Sequence, residues 1–121
     1  MANFQGAAST SRKDQQTKAR EERLQRLWQT ISAIPSGRVC SYGEVARLAG
    51  IPNGARQTAW ALRQLAPDSR IPWHRVINAQ GRIAMPEGSA GWREQRRRLL
   101  REGVKFAGNG RILDASYWWR G

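Results

Sequence analysis

Apolar side chains recur at Leu24, Leu27, Trp28, Ile31 and Ile34, steps of three and four that gather them on one face of a helix. The period predicts a helix from about Asp14 to Ala33. Pro35-Ser36-Gly37 breaks it, since proline lacks an amide donor and glycine favours turn geometry. Ahead of it, residues Met1 to Lys13 carry no apolar period and are predicted to be a flexible tail, which leaves residues 14–121 as a single domain. A short extended piece, Arg38 to Cys40, leads to Ser41-Tyr42-Gly43-Glu44. Here the serine and the glutamate three residues on can satisfy each other's backbone amides and start a helix that Gly50 stops. Ile51-Pro52-Asn53 turns the chain, and Asn53 is predicted to cap a second helix from Gly54 to Leu65 or Ala66. Two short helices around a tight glycine-containing turn suggest a helix-turn-helix.

In the second helix Arg56, Trp60 and Arg63 share one face, while Ala55, Ala59, Leu62 and Ala66 form a neighbouring sector that can pack inward. A ring between two cations suits a nucleic-acid surface, with guanidinium groups for phosphate and a flat apolar face for sugar or base. Beyond the Pro67–Arg70 loop, the apolar run Ile71 to Ile77, the turn Asn78-Ala79-Gln80-Gly81 and Arg82-Ile83-Ala84 predict a small hairpin. A loop from Met85 to Gly91 precedes an arginine-rich helix from Trp92 to about Glu102, ended by Gly103. Two short apolar pieces follow, and Tyr117-Trp118-Trp119 is predicted to pin the chain's last residues to the core.

Charge narrows the class of partner. Twenty-one Lys and Arg against nine Asp and Glu give a net charge of +12, a field that favours a polyanion, with nucleic acid foremost. No stretch approaches the roughly 20 apolar residues of a membrane span, and no apolar secretory leader is present, so a cytoplasmic protein is expected, nucleoid-associated if bacterial. One Cys and one His cannot form a disulfide or a protein-only zinc site, so neither metal nor cofactor is expected.

The one constellation with catalytic flavour is Pro72-Trp73-His74-Arg75-Val76 with Glu102 some way downstream. A His held by a carboxylate is half of a nucleophile-activating triad. The nucleophile is missing: an indole, which cannot accept an alkyl group, precedes His74.

These residues resemble the alkyltransferase-like proteins, relatives of the O6-alkylguanine-DNA alkyltransferases, whose Pro-Cys-His-Arg-Val motif takes the alkyl group on its cysteine. Trp in the Cys position marks the alkyltransferase-like group. The resemblance covers about residues 24 to 119 and rests on Ile34-Pro35-Ser36-Gly37-Arg38-Val39, Ser41-Tyr42-Gly43-Glu44-Val45-Ala46, Ala55-Arg56, Pro72 to Val76 and Leu99-Leu100-Arg101-Glu102-Gly103. It implies a mainly α fold with a small β component, a winged-helix-like helix-turn-helix domain similar to the C-terminal domain of the alkyltransferases. It also implies that Tyr42 crowds the phosphate of a target nucleotide, that Arg56 enters the stack from the minor groove, and that Trp73 and Val76 line a base pocket. Ser89 would stand near the O6 position. Met85 and Pro86 belong to a loop that is longer than in the enzymes, consistent with a roomier pocket. Trp60, Arg63 and Arg75 are further DNA-binding candidates, and His74 with Glu102 is expected to survive as a structural hydrogen bond. Where the enzymes have an Asn shortly before the motif, this chain has Leu65.

The expected function is a non-enzymatic damage sensor: it flips O6-alkylguanine out of duplex DNA, holds it, and flags it for nucleotide excision repair proteins. A monomer is expected, since no zipper or dimer face is evident. The alternatives are a helix-turn-helix transcription regulator of undamaged DNA and an alkyltransferase using Cys40, which lacks the Pro-Cys-His context.

Overall fold

The computed structural model describes residues 11–121, and the first ten residues of the predicted tail lie outside them. Residues 11–13 are not tail: α1 spans Arg12–Ser32, two residues earlier than its period required, because the Ser11 hydroxyl accepts the Asp14 amide at 3.1 Å and caps it. Leu27 and Ile31 are fully buried, with Leu24 and Trp28 beside them, as the spacing demands. The Trp28 indole donates to the Ala61 carbonyl at 2.9 Å and ties α1 to the helix-turn-helix.

Strand β1, Cys40–Ser41, runs directly into α2, Tyr42–Leu48. Ser41 accepts the Glu44 amide at 3.1 Å. The reciprocal half of the expected cap is replaced: both Glu44 oxygens are taken by Arg47, at 2.9 and 2.7 Å. Asn53 does not cap the next helix, for it stands at φ 57° in the turn, and α3, Ala55–Arg63, begins from Gly54 without a side-chain cap. It is also shorter than predicted. A Cβ at Gly54 would lie 2.7 Å from the Ile51 carbonyl oxygen and 3.0 Å from the Ala46 β-carbon, so glycine is what lets α3 start this close to α2. The inward face of α3 is Thr58 and Ala61; Ala55 and Ala66 are exposed, which corrects the predicted apolar sector. Thr58 satisfies its buried hydroxyl by donating to the Tyr42 carbonyl at 2.9 Å.

The predicted hairpin does not form. Its turn does, with the Asn78 amide donating to the Arg82 carbonyl at 2.9 Å, but β2, Val76–Ile77, pairs in parallel with β1 instead. The preceding Trp73–Arg75 is a 3-10 turn rather than strand. Alternate residues along the paired strands serve different cores. Cys40 and Val76 join Leu27, Ile31, Val45 and Ala61 under the helix-turn-helix, while Val39 and Ile77 join Ile83, Leu99 and Val104 under α4, Ala90–Arg101. The closing aromatics pack as predicted: Trp119 lies against the first core and Tyr117 and Trp118 against the second. Among the described residues no helix is long and apolar enough to cross a membrane.

Candidate nucleic-acid interface

The parallel pairing of β1 with β2 sets the Trp73 turn beside the start of α2. A cavity of about 420 Å³ opens there, between α2, α3, the turn and the first turns of α4. That volume falls within the roughly 300–1,000 Å³ of sites that enclose small ligands. Tyr42, Trp73, Val76 and Met85 all line it, and Arg63 stands at its edge on α3. Four residues from distant parts of the sequence thus meet. A larger open groove of about 680 Å³ runs along α1 beside Glu21 and Gln25, and brings none of the motif residues together.

Ser89 and Pro86 are not among the lining residues. The Ser89 hydroxyl accepts the Trp92 amide at 3.2 Å and caps α4, which accounts for that helix starting two residues before Trp92. Pro86 is exposed, and its carbonyl accepts the Ser89 amide at 3.0 Å. Lining residues that sequence reasoning missed are Ala59 and Leu62 on α3 and Gly91, Glu94 and Gln95 on α4. Gln95 had a signal: it lies three residues after Trp92 and four before Leu99, a polar side chain on the inward stripe. Its buried amide donates to the carbonyls of His74, at 3.0 Å, and Val76, at 2.9 Å, and so fixes the turn to α4. Gly91 leaves room for Met85, whose sulfur lies where a Cβ would project.

Trp73 is half-buried. The Arg98 guanidinium lies 5.2 Å from its ring centroid, and Arg98 is in turn held by Glu94 at 2.7 Å. A cation so placed attracts the indole face and orients the ring.

Behind the cavity, His74 Nε2 lies 2.8 Å from Glu102, whose oxygens also accept from Arg75, at 2.7 and 3.0 Å, and from the Gly37 amide at 3.1 Å. Burial alone would raise the Glu102 carboxyl; the bonds from Arg75, His74 and Gly37 outweigh it and bring it to about 2. Burial pushes His74 below its ordinary value despite Glu102, so the ring is neutral and donates through Nε2. Arg75 is engaged within the protein: its guanidinium is tied to Glu102 and, at 2.7 Å, to the Ile34 carbonyl. Trp60 also has protein partners: it packs half-buried against the first core with Arg20 stacked 4.9 Å from its ring centroid. Arg56 is exposed in the first turn of α3, one helical turn from the lining residue Ala59. Cys40 is fully buried in β1, and burial pushes its thiol up to about 12, so no thiolate forms there.

Residues 22–104 match the family model of the 6-O-methylguanine DNA methyltransferase DNA-binding domain. A DNA base-flipping protein of Escherichia coli is 45% identical over 95 residues, covering 78% of this chain and 72% of that protein. Alkyltransferase-like protein 1 of Schizosaccharomyces pombe is 42% identical over 86 residues, 71% of this chain and 80% of the relative. The structure of S. pombe Atl1 in complex with damaged DNA containing O6-carboxymethylguanine superposes with a TM-score of 0.73 at 38% identity, over 84% of this chain and 97% of that one. With the helix-turn-helix, the cavity and the Pro72–Val76 turn all inside the matched segment, the chain belongs to the alkyltransferase-like proteins, which are built on the DNA-binding domain of the 6-O-methylguanine DNA methyltransferases.

Proposed function

We propose that this protein is a damage sensor that binds duplex DNA containing O6-alkylguanine, rotates the damaged nucleotide through the minor groove into the Trp73 cavity, and holds it there without alkyl transfer. The observation that carries the reading is the cavity itself, apolar and walled by Trp73 at the place where a reactive sulfur would be needed. A base inside a duplex is inaccessible, and extruding it costs a few kcal/mol, less when the base is damaged and poorly paired. Arg56 is the wedge that fills the vacated stack, its charge balanced by the flanking phosphates. Tyr42 stands where the rotating phosphate is crowded, and Trp73 and Val76 hold the base while Met85 borders the adduct.

His74 and Glu102 keep the motif turn in shape and do no chemistry, since neutral His74 has no thiol to activate. The protein acts as a cytoplasmic monomer, and its stable complex hands the lesion to nucleotide excision repair proteins. The test combines a titration against O6-methylguanine and guanine duplexes with mass spectrometry of both components. The expected result is preferential binding with the methyl group still on the DNA. Recovery of methylated protein would overturn the non-catalytic reading. Arg56→Ala is expected to weaken lesion binding by about 1–3 kcal/mol, and unchanged affinity removes Arg56 from the mechanism.

A further inference from the structure

We propose that the first turns of α1 are a basic arm that lies along duplex phosphates beside α3 and extends the DNA footprint beyond the domain shared with the relatives. The inference rests on the reading of α3 as a DNA-facing helix. The family model begins at residue 22, whereas α1 begins at Arg12. The added turns contribute no buried residue to the core: residues 11–22 are all exposed, and burial starts with the half-buried Arg23 and Leu24 and the fully buried Leu27.

Their charges are nevertheless sorted. At 3.6 residues per turn, Arg12, Lys13, Arg20 and Arg23 fall within an arc of about 100° that overlaps the line of Leu27 and Ile31, while Asp14, Glu21 and Glu22 fall on other sides. The face that is apolar and buried further along the helix is therefore cationic before it reaches the domain. Arg20 fixes where that face leads. Its guanidinium lies 4.9 Å from the Trp60 ring, and Trp60 stands between Arg56 and Arg63 on one side of α3. Arg20, Arg56 and Arg63 are all exposed, so the stripe on α3 continues onto α1 without a break in sign.

From Arg20 back to Arg12 the helix runs about 12 Å, over which a duplex presents about seven phosphates. Among the described residues none of these α1 cations is in a salt bridge. Each phosphate contact releases condensed counterions and carries no base information, so the arm adds affinity without altering lesion preference.

The experiment measures affinity against salt concentration for the full chain and for the triple variant Arg12→Gln, Lys13→Gln, Arg20→Gln, on long duplexes with and without a central O6-methylguanine. Glutamine preserves helix propensity, and circular dichroism checks that α1 persists. The expected result is a log–log salt slope shallower by about 2 to 3, at roughly 0.9 per lost contact, with an unchanged ratio of damaged to undamaged affinity. Lys18→Gln, on another side of α1, should leave the slope as it is. A triple-variant slope equal to wild type overturns the arm, as does an equal loss in Lys18→Gln. Absence of lesion preference in the wild type would sink the cavity reading and leave the slope comparison intact, so the two failures are distinguishable.

Discussion

Replacing Glu102 by Gln should destabilise the fold by about 3 kcal/mol at neutral pH, and the loss should fade in acid. The magnitude comes from the carboxylate's three partners, Arg75, His74 and Gly37. The interval between its ordinary 4.5 and about 2 corresponds to about 3 kcal/mol in favour of the charged form in the folded chain. Removing one member of a buried pair typically costs about 3–5 kcal/mol. The Glu102 and Arg75 side chains retain 15% and 17% exposure, which puts this pair at the lower end. Because folding depresses the carboxyl, its contribution is complete above the unfolded value and is lost as pH falls towards 2. Urea unfolding followed by tryptophan fluorescence, for wild type and Glu102→Gln across acid and neutral pH, should show a gap that narrows steadily below about 4.5. Glu94, also brought to about 2 by Arg97 and Arg98, is open to solvent, and its replacement by Gln is the control with little effect on stability. A Glu102→Gln gap below about 1 kcal/mol, the value of an exposed ion pair, or one that does not vary with pH, would refute the reasoning.

His74 is the chain's one histidine, so its ring-proton resonances are identifiable without assignment, and their titration midpoint should lie below 6.5. A midpoint above that value would mean that Glu102 outweighs burial. Gly91→Ala should drive Met85 into the cavity and weaken binding of O6-benzylguanine duplexes more than O6-methylguanine ones; equal effects would remove Met85 from adduct discrimination. Gly54→Ala forces α2 and α3 apart at Ile51 and Ala46 and should cost about 1–3 kcal/mol in thermal unfolding, whereas an unchanged Tm would show that the helix pair spreads freely.

Local chemistry was legible in the sequence. The α1 period, the Ser41 cap and the Gly50 stop each depend on residues within a turn or two of each other, and each forms at its predicted place. Ser89 was misplaced because its cap lacks the Glu or Gln three residues on that marks a capping box; Trp92 stands there instead. The larger errors concern what lies opposite. Helical spacing correctly aligned Trp60 with Arg56 and Arg63, but it says nothing about α1 covering the ring. Arg75 sits next to His74, and its engagement with Glu102 depends on two distant segments meeting. The β1–β2 pairing was illegible for the same reason, with two residues in each strand and no alternation to read. Of the cavity, Tyr42, Trp73, Val76 and Met85 are legible through the motifs that carry them, while Ala59 and Gly91 carry no chemistry by which a sequence could mark them.

The edge of β1 opposite β2 is occupied by the chain's closing residues: the Val39 amide donates to the Tyr117 carbonyl at 2.9 Å, and the Trp119 amide to the Val39 carbonyl at 2.8 Å. Of the two neighbours of this strand, β2 is made first and Tyr117 to Trp119 well after it. A growing chain can form α1 and the helix-turn-helix early, since their contacts are local, and can pair β1 with β2 once Ile77 is made, but it closes the other edge of β1 only when Trp119 has followed. The residue that leads into Ser41 and Tyr42 is thus secured on its second side only after the elements it joins have been made.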